Sequence, residues 1–99
     1  MSIHFYKKGD VRHALFMLSD DDCELLVDSM FELKAKTGIF LDPNETVALY
    51  PDNIKLFCSI IRSRFPAGSR GKEAALIDGI LQQLQRLYEL DVIIQAVGD

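Results

Sequence analysis

Leu87-Tyr88-Glu89-Leu90-Asp91-Val92-Ile93-Ile94-Gln95-Ala96-Val97 decides the fold class of this chain. Up to Glu89 the apolar residues keep helical spacing. Leu76, Ile77, Ile80, Leu81, Leu84, Leu87 and Tyr88 give one wide apolar face, which predicts a helix over Lys72–Glu89. From Asp91 the pattern changes to a β-branched run, apolar nearly throughout. Such a run reads as an interior strand of a small sheet. The chain is therefore not all-helical, and the strand needs partners.

The other end of the sequence supplies them. Ile3-His4-Phe5-Tyr6-Lys7 alternates apolar and polar residues, the period of a strand. Lys8-Gly9-Asp10 signals a turn. Residues 11–18 are a second extended candidate that would pair with the first as a hairpin. Their Ala14-Leu15-Phe16-Met17-Leu18 portion fits a helix equally well, because periodicity does not decide a short apolar run.

Ser19 opens the first helix. It is a favoured N-cap, and Asp22 three residues on completes a capping box with a shorter acid. Asp20, Asp21 and Asp22 fill the first turn, where the helix dipole favours negative charge. Leu26, Met30 and Leu33 follow as a core stripe. Lys34 and Lys36 lie in the last turn and Gly38 stops the helix. Ile39-Phe40-Leu41 and Thr46-Val47-Ala48-Leu49 flank the turn Asp42-Pro43-Asn44-Glu45, which predicts a small hairpin or a packed loop. Pro51 fits the first turn of a second helix over about 52–64, with Ile54, Phe57, Cys58 and Ile61 buried. Residues 66–71 are a break too short to separate domains. The expected architecture is one α+β domain over 1–99. It has about three helices and a small, mainly antiparallel sheet formed by the N-terminal and C-terminal strands.

Composition narrows the function. Hydrophobic residues make up 48% of the 99 residues and charged residues 26%, enough for a core. A chain this small has little room for both a core and a deep substrate cleft, which favours a binding module over an enzyme. No run of about 18 apolar residues predicts a membrane span, and no secretory signal opens the chain, so a cytoplasmic location is expected. Cys23 and Cys58 lack a nearby Cys or His at metal-ligand spacing and read as buried free thiols. The net charge of -4 and pI of about 5.0 argue against general nucleic-acid or anionic-membrane binding and permit a basic protein partner.

Three features that might carry chemistry have plainer readings. His4 and His13 would form an acid/base pair if the N-terminal hairpin brought them together, but no nucleophile or oriented carboxylate is marked nearby. Gly68-Ser69-Arg70-Gly71-Lys72 places small residues and cations before a helix, without the frame of a phosphate-binding loop. The consecutive acids Asp20, Asp21 and Asp22 fan around the helix and lack the alternation and central Gly of a calcium loop. No catalytic residue, metal or cofactor is expected.

Charge distribution is more informative. Residues 19–36 hold six acids against two lysines, a net of -4 equal to that of the whole chain. Asp21, Glu24, Asp28 and Glu32 follow at steps of three, four and four, which puts them on one helix face. Like charges at i,i+4 cost roughly 0.2–0.5 kcal/mol per pair, and the dipole offsets this only in the first turn. The face is either a solvated surface or an interface for something basic. Phe31 and Tyr50 are candidate apolar anchors beside it, with core packing as the alternative for each. Residues 53–72 carry only positive charges: Lys55, Arg62, Arg64, Arg70 and Lys72. Arg62 and Arg64 complement a helix C-terminus. The segment would also serve a homodimer, by meeting the acidic helix of a second copy.

Thr37-Gly38-Ile39-Phe40-Leu41-Asp42-Pro43, followed by Thr46, Leu49 and Pro51-Asp52, resembles a segment of small bacterial immunity proteins. Among these are the cognate immunity proteins of contact-dependent growth inhibition systems. The Leu-rich helix and the ending from Ile94 to Gly98-Asp99 are similar in character. The resemblance covers turn and core residues, so it transfers no active-site residue and no fold. It implies a cytoplasmic inhibitor that binds a toxin domain, often a nuclease, and occludes its active site. The sequence then points to Asp21, Glu24, Asp28, Glu32 and Tyr50 as the binding residues. Exchange of Glu24, Asp28 and Glu32 for Lys would be expected to abolish binding and leave the fold intact. The alternative is a homodimeric structural or regulatory protein without enzymatic activity.

Overall fold

The first two strands pair because a tight turn returns the chain on itself. In the computed structural model, which describes residues 2–42, 44–66 and 71–98, β1 (Ile3–Lys7) meets β2 (Phe16–Leu18) antiparallel. Gly9 provides the turn, with a left-handed φ of 89° that favours a residue without Cβ. Only the last three residues of 11–18 are strand. Residues 11–15 form an exposed loop, tied back where the Leu15 N–H donates to the Phe5 carbonyl at 2.8 Å. The open choice between strand and helix thus resolves as neither for most of the segment.

β4 (Ile94–Gly98) lies beside β1, and β3 (Thr46–Leu49) lies beside β4, both antiparallel. The sheet order is β2-β1-β4-β3. β4 is an interior strand, as its apolar run predicts. The sheet is wider than the two chain ends alone would make it. Of the two readings of 39–49, the hairpin does not form: 39–41 is a packed loop, and β3 joins β4 instead. The interior strand offers an unpaired row of N–H and C=O groups, whereas 39–41 is drawn into the core by Leu41, only 1% exposed. The Asp42 carboxylate accepts from the Asn44 N–H at 2.8 Å and turns the chain toward β3.

Strand alternation sorts the sheet into two faces. Ile3, Phe5, Leu18, Leu49, Ile94 and Ala96 point into one hydrophobic core with the helices. The opposite face carries His4, Tyr6, Met17, Thr46, Ala48, Gln95 and Val97, all exposed or half-buried. The helical layer comprises α1 (Asp20–Leu25), α2 (Val27–Thr37), α3 (Pro51–Arg64) and α4 (Lys72–Glu89). α3 packs on both α2 and α4. Its buried residues are Ile54, Phe57, Cys58, Ile60 and Ile61, the expected stripe with one addition. α4 buries Ile77, Ile80, Leu84 and Leu87, while Leu76 is 41% exposed.

The single first helix of the sequence reading is two helices joined at Leu26. There φ is -98° and ψ is 6°, outside helical values. The hydrogen bonds on either side persist: Leu26 N–H to the Asp22 carbonyl at 3.0 Å, and Met30 N–H to the Leu26 carbonyl at 2.9 Å. No residue of α1 is fully buried, and Cys23 and Leu25 pack only partly against the core. Leu26 is fully buried at the joint, and Met30 and Leu33 continue the core from there. Gly38 ends α2 in the left-handed conformation, φ 79°, its N–H donating to the Lys34 carbonyl.

Candidate functional site

The acidic face is held by a cap that its own residues build. The Ser19 hydroxyl accepts from the Asp22 N–H at 3.2 Å, and the Asp22 carboxylate accepts from the Ser19 N–H at 2.9 Å. This capping box commits Asp22 to structure and fixes where α1 begins. Asp21, Glu24 and Asp28 are exposed and make no ion pair among the described residues. Glu32 differs from them. Its Oε2 takes the Lys36 ammonium at 3.0 Å, and its Oε1 takes Arg64 Nη2 at 2.9 Å and Nε at 3.0 Å. The hydrogen bond from Lys36, then that from Arg64, hold the Glu32 carboxyl below its ordinary pKa. Glu32 therefore ties α2 to α3.

Asp21 and Glu24 lie on α1 and Asp28 and Glu32 on α2, with the break at Leu26 between the two pairs. The structure separates the four residues of the sequence reading into an exposed set of three and a structural ion-pair member. Tyr50 is 53% exposed and precedes α3. Its N–H donates to Asn53 Oδ1 at 2.9 Å, which fixes the start of that helix. Arg64, the partner of Glu32, is at the other end of α3, about 20 Å away at 1.5 Å per residue. Tyr50 is not a neighbour of Glu32.

Beside the acids runs an apolar row that the sequence reading only half identified. Val27 and Phe31 sit at i,i+4 on α2, and Asp28 and Glu32 form the next row round the helix. Val27 is 41% exposed and Phe31 53%. Phe31 is thus outside the core, stacked on Phe40 with ring centroids 5.2 Å apart. Lys34 Nζ lies 5.1 Å from the centre of the Phe40 ring. Between α1, α2 and the 40–41 loop lies a groove of about 370 Å³ lined by Cys23, Val27, Met30, Phe40 and Leu41, with Asp20 and Glu24 also lining it. Met30 and Leu41 are buried and set its depth, whereas Asp20, Glu24 and Val27 are exposed at its rim. The signal available in the sequence was Val27 and Phe31, two apolar residues four apart and off the core stripe. Phe40 and Leu41 carried no local sign, because they reach the groove through tertiary packing.

Other sequence candidates resolve differently. The sheet register pairs His4 with Met17, and His4 stacks on Tyr6 with centroids 6.4 Å apart, while His13 is exposed in the 11–15 loop. Strand pairing does not join the two histidines. Residues 68–70 of the Gly68–Lys72 segment lie outside the described residues. Among the described residues no group of three His, Cys, Asp or Glu could hold a metal ion, and no helix is long and apolar enough to cross a membrane. Cys23 and Cys58 are free thiols, one half-buried and one buried. Burial raises both pKa values, and the Asp22 carboxylate adds to the effect at Cys23. In the basic segment, Arg64 is already engaged by Glu32 of the same chain. Arg62 borders an open groove between α3 and α4 that also holds Asp78, Arg86 and Glu89, a mixed-sign surface.

No known protein family, curated protein or solved structure matches this chain.

Proposed function

We propose that this chain is a protein-binding inhibitor of the toxin–immunity kind, acting through the α1–α2 face on a basic partner. One observation carries the reading: three exposed acids, Asp21, Glu24 and Asp28, stand beside an exposed apolar row and groove. Specific interfaces are built in this way, with an apolar centre that excludes water and a polar rim that sets orientation and speeds encounter. The resemblance of 37–52 to bacterial immunity proteins supplies the class of partner, a toxin domain. A nuclease-type toxin fits the charge, because an active site that holds phosphates is cationic and an acidic surface can occupy it. In this reading the chain works in the cytoplasm, needs no cofactor and catalyses nothing.

The homodimer alternative has less support. It required the acidic helix of one copy to meet the basic segment of another, and the Glu32–Arg64 pair makes that contact within one chain.

The test is a titration of the isolated toxin partner's activity with this chain. Activity should fall linearly to zero at one equivalent. The variant with Asp21, Glu24 and Asp28 exchanged for Lys should lose inhibition by at least about a hundredfold, with an association rate typical of an unsteered encounter. Full inhibition by that variant would refute the acidic face as the inhibitory surface.

A further inference from the structure

We infer that the groove between α1, α2 and the 40–41 loop receives one large apolar side chain from a cationic segment of the partner protein. This inference rests on the acidic-face reading and adds the chemistry of the contact. The groove walls are apolar: Cys23, Val27, Met30, Phe40 and Leu41. The charged residues lining it, Asp20 and Glu24, are both acidic, and Asp28 follows Val27 on the exposed side. An anchor alone would fit any apolar side chain, and an acidic rim alone would attract any cation. Together they select a Phe- or Leu-type residue flanked by Lys or Arg. Buried apolar anchors in desolvated pockets carry most of the energy of an interface, whereas rim charges set rate and orientation. The groove, about 370 Å³, has room for one large side chain.

Cys23 gives this site its own reporter. It lines the groove and is half-buried, whereas Cys58 is 2% exposed on α3. An occupant of the groove shields Cys23 from a thiol reagent and leaves the slow reaction of Cys58 unchanged.

The experiment uses the full chain and three 12-residue peptides as probes. One has a central Phe between Lys and Arg pairs. Its first twin has Ala in place of Phe, and its second has Glu in place of the cations. Binding is read by fluorescence anisotropy at low salt, and Cys23 by its rate of labelling with an aromatic disulfide reagent. The Phe peptide should bind at least about tenfold tighter than its Ala twin and slow Cys23 labelling at the same concentration. Val27→Asp, at an exposed position, should erase that tenfold difference while circular dichroism stays native. Equal binding of the Phe and Ala peptides, or a difference that survives Val27→Asp, would overturn the groove and leave the acidic face standing. Equal binding of the cationic and Glu peptides would instead overturn the acidic-face reading. Protection of Cys23 that grows with protein concentration alone would identify a second copy as the occupant and overturn the proposal.

Discussion

Ser29 shows how a single atom can cost this fold stability. Its side chain is buried in α2 at 1% exposure, and its hydroxyl has no hydrogen-bond partner among the described residues. A buried polar group left unpaired costs about 1–3 kcal/mol relative to a satisfied one, and Ala is the better helix former. Ser29→Ala should therefore raise stability by up to about 1 kcal/mol, read as a higher midpoint in urea with an unchanged m-value. At this scale the sequence was partly readable. The Ser19–Asp22 box and the Gly38 stop follow from local chemistry alone, and both appear as expected. Ser29 was silent, because burial of one hydroxyl depends on how α2 rotates against the core.

At the scale of elements, the Glu32 contacts with Lys36 and Arg64 join α2 to α3. Glu32 has a folded pKa below its ordinary value of 4.5. A lowered carboxylate pKa contributes stability that is fully present above the unfolded pKa and lost as pH falls through the folded one. Glu32→Gln should lower Tm by a few degrees at most at pH 7, since exposed pairs are weak. Wild-type and variant melting curves should converge as the pH is taken below about 4. A gap that stays constant down to pH 3 would show that the pair contributes nothing as an ion pair. The same contact changes how the acidic face must be mutated. Lys at position 32 would face Lys36 and Arg64, so the exchange of Glu24, Asp28 and Glu32 mixes loss of binding with loss of packing. Asp21, Glu24 and Asp28 make the cleaner set. Helices over Pro51–Arg64 and Lys72–Glu89 were legible because their periodicity is long and their ends are marked by Pro51 and by the break before Lys72. The joint at Leu26 was not, since no Gly or Pro marks it and the break shows only in the backbone angles of a buried Leu. The partner of β3 was not legible either. A four-residue strand names no partner, and β4 lies 45 residues further along the chain at Leu49↔Ile94.

Across the whole molecule, the two chain ends meet as interior strands and the helices cover one side of the sheet. This topology brings α1, α2 and the 40–41 loop together and so makes a groove that no single segment encodes. The acidic half of the site was readable as a charge pattern at helical spacing. Its apolar half depended on the tertiary packing that brings Phe40 and Leu41 to the groove that Val27 also lines. The central claim is that the exposed acids of this face hold a basic partner. The most direct measurement is quantitative capture from a lysate of the source cells, with the wild-type chain and the Asp21, Glu24 and Asp28→Lys variant as parallel baits. Wild type should retain one basic protein at stoichiometric yield, releasing it in high salt, and the variant, with native circular dichroism, should lose it. Equal recovery of that protein by both baits, or recovery of the bait alone at twice 11.2 kDa, would contradict the account.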